Sequence, residues 1–197
     1  MGYLWTIQSK KVLEIINKAG AYYPDFRYSG VKCRAAYQMV LDSFNDLNNS
    51  AYKGLIFAFA PRGNNQYFNS IEELSQYFLD NPLITDAFSF WNDDYLILQL
   101  QYTESFNMIP MDFNDFIRIM PPIDDWYAYQ VICSRIRRGV YQPGITLPSF
   151  TQVHSPFIKQ ENVVAIYENF DKEASDKEDE IIFFPKDEGG QPYVGKH

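Results

Sequence analysis

The strongest constraint on the fold is the apolar run GLIFAFA at residues 54–60, which Pro61 ends. Its residues do not alternate between apolar and polar, so neither side of an extended chain could face water here. A run of this length predicts a central β-strand that is covered on both faces. The rest of the chain must therefore supply the layers that cover it.

Helices with one apolar face could form these layers. Residues 10–19 have apolar side chains at helical spacing, with Ser9 as a possible N-cap and Gly20 as a possible C-cap. Ser70 and Glu73 form a capping-box pattern, which predicts that a helix begins at this point. Similar patterns predict helices over residues 31–47, 112–120 and 124–138.

Further strands are predicted at residues 3–8 and 95–102. The second alternates in its last half, which predicts that Gln99 and Gln101 face solvent. Residues 140–156 contain three prolines and are predicted to be an irregular surface segment. His154 lies in that segment and is interpreted as an incidental loop histidine, with a general base as the alternative.

Helices and strands are intermixed without a regular βαβ series, which favours an α+β fold. We expect one domain over residues 1–167, with a mixed sheet, several amphipathic helices and a core rich in Phe and Tyr. From Glu168 to the end, nine acidic residues face four lysines. Residues 168–197 are therefore expected to form an acidic, partly flexible C-terminal extension.

Charge and cysteine content narrow the classes of function. Residues 1–167 carry sixteen acids and thirteen bases, a balance that argues against direct nucleic-acid binding. No basic stretch followed by an apolar run begins the chain, and no apolar stretch is long enough for a membrane span. With Cys33 and Cys133 as reduced thiols, we expect a cytoplasmic protein that does not enter membranes. Two Cys and two His do not make a zinc site, so no metal is expected.

Candidate ligand-binding residues are few, because the chain has no Gly-rich phosphate loop and no nucleophile elbow. Arg135, Arg137 and Arg138 end a predicted helix, where they would favour its dipole or hold an anion. Arg135 and Arg138 are three residues apart, so they are the predicted anion-binding pair, and Arg137 is a solvated bystander. Arg62 follows the central strand and is a further candidate of this kind, and Trp91 is a candidate for stacking on a ligand.

The opening segment LWTIQSKKVLEIINKAG resembles the start of an uncharacterised bacterial family whose members begin with a Leu-Trp-Thr-Ile-Gln strand. The likeness is strongest over Leu4–Gln8 and continues through residues 35–40 and 96–113. That family is described as a domain of unknown function, so the resemblance implies no activity.

A fainter likeness is to ADP-ribosyltransferase-type domains, which also begin with a strand and then a helix that ends in Gly. This resemblance implies NAD as cofactor, with Gln8 of the first strand and Glu104 after a later strand as catalytic groups. Those enzymes carry a His or Arg in the first strand, where this chain reads Trp-Thr-Ile-Gln.

Two functions are therefore predicted. The first is a small intracellular protein without a cofactor that binds a protein partner, as a regulator or inhibitor in a bacterium or its phage. Exposed aromatic side chains and an acidic extension would serve partner recognition. The alternative is an NAD-using enzyme of the ADP-ribosyltransferase type. The sequence leaves the oligomeric state open.

Overall fold

The computed structural model describes residues 3–28, 34–60, 68–80, 94–104, 106–119, 123–142, 151–168 and 181–182. The helices in these ranges are α1 (Lys10–Ala19), α2 (Arg34–Asn48), α3 (Ile71–Asp80), α4 (Phe113–Arg118) and α5 (Trp126–Arg137). The strands are β1 (Leu4–Ser9), β2 (Ala21–Tyr22), β3 (Ile56–Ala60), β4 (Tyr95–Leu100), β5 (Met111–Asp112), β6 (Thr151–Ser155), β7 (Ile158–Lys159), β8 (Val163–Tyr167) and β9 (Ile181–Ile182). Two 3-10 helices occupy Phe26–Tyr28 and Gln160–Asn162.

The chain divides into two compact units, each assembled from separate stretches of sequence. The first unit comprises Met1–Tyr22, Gly63–Thr103 and Ile158–His197. The second unit comprises Tyr23–Arg62 and Glu104–Phe157. Each unit contains both helices and strands, which confirms the predicted α+β class.

In the first unit, an antiparallel sheet has the order β1, β4, β8, β9. Thr6 of β1 lies opposite Leu98 of β4, and Leu98 lies opposite Ile166 of β8. The short strands β2 and β7 form a separate antiparallel pair. In the C-terminal extension, Ile181–Ile182 form the strand β9, while the other residues of the extension after Glu168 lie outside the described ranges.

The prediction that Gln99 faces solvent is wrong. Gln99 lies in the middle of β4 with β1 on one side and β8 on the other, and it is 6% exposed. Gln101 is half-buried beyond the end of β4, where its backbone N–H donates to the Asn162 carbonyl at 2.8 Å. Both faces of β4 are covered, so its polar residues do not mark a solvated side.

Trp5 of β1 has no exposure and is among the largest fully buried side chains of the described residues. Its indole Nε1 donates to the Phe68 carbonyl at 2.8 Å, and its ring lies 5.7 Å from that of Tyr167. The buried N–H group therefore has a partner in the segment that precedes α3.

Helix α1 begins and ends at the predicted residues, but its two ends are held differently. Gly20 adopts a left-handed conformation with φ of 77°, and its N–H donates to the Ile16 carbonyl. Ser9 precedes the helix without a side-chain cap hydrogen bond. Instead, the Lys10 N–H donates to the Asp94 carbonyl at 2.8 Å, so the first turn is capped by backbone from outside the helix.

In the second unit, β6 lies between β5 and β3, and both pairings are antiparallel. The prediction of an irregular segment over residues 140–156 is therefore wrong at Thr151–Ser155. The β-structure depends on pairing with strands about forty and a hundred residues away in the sequence, which local propensity does not report. Strand β3 is covered on both faces as predicted: Ile56 and Phe59, which point to opposite faces, are 2% and 3% exposed.

Aromatic rings fill the core of the second unit, as the composition predicted. Phe57 of β3 is in contact with the rings of Tyr37 in α2, Phe116 in α4 and His154 in β6, at centroid distances of 5.0, 5.4 and 4.9 Å. A second group of contacting rings comprises Phe44, Tyr52, Phe106 and Phe157. Rings from helices, strands and connecting segments therefore pack together in two groups.

The same substitution at a buried and an exposed tryptophan tests the role of the indole N–H. Trp5→Phe leaves the Phe68 carbonyl without its donor, so we expect the free energy of unfolding to fall by about 1–3 kcal/mol. Trp126 is 62% exposed, so Trp126→Phe should change the free energy of unfolding by less than about 0.5 kcal/mol. Urea denaturation followed by circular dichroism measures both, and equal losses would contradict the role assigned to Trp5.

Candidate protein-binding surface

Helix α5 is fixed at its start by Asp125, whose carboxylate accepts a hydrogen bond from the Ala128 N–H at 2.9 Å. The helix predicted over residues 124–138 therefore has its N-cap at Asp125, one residue after the predicted start. The buried side of α5 consists of Ile132, Cys133 and Ile136. This side is in contact with α2 and α4 within the second unit.

The chain after α5 is tied back to α4 by Tyr141. The Tyr141 hydroxyl accepts a hydrogen bond from the Asp112 N–H at 3.0 Å and donates one to the Asp115 carboxylate at 2.8 Å. Burial raises the pKa of Tyr141 well above its ordinary value, so the hydroxyl keeps its proton and remains a donor. Both ends of α5 therefore have fixed positions.

The opposite side of α5 is exposed. Trp126 and Tyr127 in the first turn are 62% and 79% exposed. Gln130, Ser134 and Arg137 are also exposed, and with Tyr127 they follow one another at spacings of three and four residues. This spacing places them on one face of the helix, which runs for roughly 17 Å from the aromatic end to the arginine end. We call it the outer face of α5.

Trp126 differs from the buried Trp5, because its position in the first turn of α5 leaves most of the indole in water. The ring lies edge-on to the ring of Tyr129, 5.4 Å away. This contact restricts the orientation of an exposed side chain, and less rotational entropy is then lost when a partner binds.

Three arginines lie at the other end of α5, and one of them, Arg137, belongs to the outer face. Arg135 and Arg138 are exposed, and the Arg138 Nε donates to the Ser134 carbonyl at 3.2 Å. The proposed anion-binding pair of Arg135 and Arg138 stays a prediction. Arg137, interpreted from the sequence as a bystander, lines a groove with residues of α2.

This groove between α2 and α5 has a volume of about 370 Å³. Asp42 and Asp46 contribute carboxylates from α2, and Arg137 contributes a guanidinium from α5. The Gln38 amide donates to the Asp42 carboxylate at 2.7 Å. The arginine end of the outer face therefore borders an acidic strip on α2.

The other predicted site residues are dispersed or lie outside the described ranges. Arg62 and Trp91 belong to the latter. Gln8 is half-buried in the first unit, where its amide donates to the Thr6 hydroxyl at 2.8 Å. Glu104 belongs to the second unit. The NAD-using alternative stays a prediction.

His154 is not an incidental loop residue, because it lies in β6 and has no exposure. Its Nδ1 is 2.8 Å from the Ile109 carbonyl, to which it must donate a proton. The neutral ring then has an acceptor at Nε2, which is buried and has no hydrogen-bond partner among the described residues. The edge of its ring is packed against Phe57.

Burial lowers the pKa of His154 from 6.5 to about 4, and the Ile109 hydrogen bond opposes the shift only in part. The aromatic surroundings thus hold the imidazole neutral at physiological pH. No local sequence signal indicates this role, because a histidine between prolines does not reveal that its neighbours pair with β3 and β5.

Metal ligands do not cluster in the described parts of the chain, where no group of three His, Cys, Asp or Glu could hold an ion. In the same ranges, no helix combines the length and apolar character needed to cross a bilayer. Comparison with protein-family models, curated proteins and solved structures finds no match to this chain. The resemblance of Leu4–Gln8 to an uncharacterised bacterial family stays a prediction.

Acidification should destabilise the protein through His154. The folded-state pKa lies below the ordinary value of 6.5, so the unfolded chain binds a proton first as the pH falls. The stability that the neutral ring provides is complete above about pH 6.5 and is lost as the pH falls toward 4. At pH 4.5 this loss is roughly 2.5 kcal/mol relative to pH 7.

His154→Leu provides the control, since it removes the titrating group while keeping an apolar side chain. Carboxylates titrate in both proteins, so the difference between their urea denaturation profiles isolates His154. We expect the wild type to lose more stability than the variant between pH 7 and pH 4.5. Parallel profiles would show that His154 does not contribute.

Proposed function

We propose that this protein acts by binding a protein partner through the outer face of α5. The observation that supports this proposal is the exposure of Trp126 and Tyr127, at 62% and 79%, in the first turn of a helix fixed at both ends. Large exposed aromatic side chains are enriched in interfaces, where each can bury a large apolar area.

The composition of the outer face supports the same proposal. Trp, Tyr and Arg are the residue types that contribute most binding energy in protein interfaces. Here Tyr127 lies at one end, next to the exposed Trp126, and Arg137 lies at the other, next to the exposed Arg138. A complementary partner has an apolar pocket for the two rings and carboxylates opposite the arginines.

A protein is favoured over a nucleic acid as the partner because of charge. The chain has a net charge of −8, so only local regions of its surface attract phosphates. We place this protein in the cytoplasm of a bacterium, or in a cell infected by its phage, as a regulator or inhibitor. This setting rests on the sequence predictions and not on the outer face of α5.

The experiment has two stages. A photo-crosslinking amino acid replaces Tyr127, and the captured protein is identified from an extract of the cells that make this chain. Calorimetry with the purified partner then compares the wild type with Trp126→Ala combined with Tyr127→Ala. We expect affinity to fall at least about thirtyfold, which corresponds to roughly 2 kcal/mol.

Leu47→Ala is the matched control, because Leu47 is also exposed in the second unit, at 52%, but lies in α2. It should keep the affinity within about threefold. Equal affinities of the double variant and the wild type would refute the proposed surface. Tight binding of a labelled single-stranded oligonucleotide would instead identify a nucleic acid as the partner, and sedimentation of the protein alone detects self-association.

A further inference from the structure

A separate cleft of about 490 Å³ lies on the other side of α2 within the second unit. Its apolar part consists of Phe26, Leu41 and Tyr52. Leu41 is 4% exposed and forms the deepest part, whereas the two rings are half-buried. The cleft therefore offers aromatic and aliphatic surface to a ligand.

Hydrogen bonds fix one wall of this cleft to α2. The Asn45 side chain accepts from the Tyr52 N–H at 2.9 Å and donates to the Tyr52 carbonyl at 3.0 Å. The Ser50 hydroxyl is 3.0 Å from the Asn45 Oδ1. One side chain thus holds the whole turn from residue 50 to residue 52.

The segment that contributes Asp25, Phe26 and Arg27 to the cleft is fixed by close backbone packing. The Phe26 N–H donates to the Lys53 carbonyl at 3.0 Å. A Cβ atom on Gly54 would lie 2.7 Å from both the carbonyl carbon and the oxygen of Pro24, so only glycine permits this approach. Both walls of the cleft are therefore in place before a ligand binds, which lowers the entropic cost of binding.

The charges at the cleft leave one positive charge in excess. The Asp25 carboxylate accepts hydrogen bonds from the backbone N–H and the guanidinium of Arg27, at 2.7–3.1 Å. These hydrogen bonds lower the pKa of Asp25, so it stays ionised and balances Arg27. Lys53 is exposed and its charge also lowers the pKa of Asp25, but within the described ranges no hydrogen bond or ion pair joins the two side chains.

We propose that this cleft binds an acidic peptide segment, with a carboxylate on Lys53 and an apolar side chain against Phe26, Leu41 and Tyr52. A carboxylate suits the unpaired ammonium because charge-assisted hydrogen bonds are the strongest available there. A peptide suits the shape, because the cleft is open along the surface and would not enclose a compact ligand.

The neighbouring groove gives an acidic segment a preferred orientation across α2. Gln38 lines both depressions, so they lie on either side of this residue of α2. Asp42 and Asp46 on the far side repel a carboxylate, whereas Lys53 attracts one. A segment that lies across α2 is therefore oriented with its acidic residues toward Lys53.

Fluorescence anisotropy with a labelled Glu-Asp-Leu-Asp-Glu peptide and the full chain tests this site. We expect saturable binding at low ionic strength. The affinity should fall as salt is added, because the interaction depends on exposed charges. The amide peptide Gln-Asn-Leu-Asn-Gln should bind at least about tenfold more weakly. Lys53→Glu should reduce affinity for the acidic peptide by at least about tenfold, and Lys53→Gln should reduce it less.

Lys18→Glu is the matched control, because it changes the net charge equally at an exposed position of α1 in the first unit. It should leave binding unchanged, as should Trp126→Ala combined with Tyr127→Ala. The proposal is overturned if the acidic peptide shows no saturable binding or if the amide peptide binds equally well. It is also overturned if Lys53→Glu and Lys18→Glu reduce the affinity equally. If only Arg137→Glu reduces the affinity for the peptide, the peptide binds at α5 and not in this cleft. That result would leave the proposed function intact.

Discussion

The arrangement of the second unit depends on the ring contacts around Phe57. This residue of β3 is in contact with Tyr37 of α2, Phe116 of α4 and His154 of β6, so a single side chain joins four elements. Helix α5 contacts α2 and α4 in turn. The direction of its outer face is therefore set by packing around Phe57, a residue that takes no part in that face. Loss of this packing would remove the candidate surface without altering any of its own residues.

Local signals predicted the helices more accurately than the strands. Gly20 ends α1, the Asp112 carboxylate accepts from the N–H groups of the first turn of α4, and Ser70 accepts from Glu73 at the start of α3. Each of these interactions spans at most four residues, so a short window of sequence contains it. Strand β6 and the buried Gln99 are different, because their positions depend on partners far away in the chain. The pairing of strands is decided by the tertiary fold, which a single sequence does not display.

For the candidate sites, the sequence indicated which residue types to consider more than where they lie in the fold. The sequence pointed to arginines at the end of α5 and to exposed aromatic residues as recognition groups. It named Trp91 rather than Trp126 as the candidate tryptophan, because helical spacing shows which residues share a face but not which face is covered. Lys53 was overlooked for a related reason. Its role depends on a turn held by Asn45 and on the close approach of Gly54 to Pro24, and both features arise only when the chain is folded.

The two sides of α2 differ in their electrostatic environment, and only a few residues cause the difference. The acids Asp42 and Asp46 follow each other at helical spacing on one side, and the balanced pair of Asp25 and Arg27 leaves Lys53 to set the sign on the other. Over such short distances, exposed charges are only partly screened by physiological salt. A chain with a net charge of −8 can therefore attract an acidic segment at one place while repelling it elsewhere, and this local contrast gives direction to binding. Because the walls of the cleft are fixed, the fold does not have to rearrange before this difference in charge can act on a bound segment.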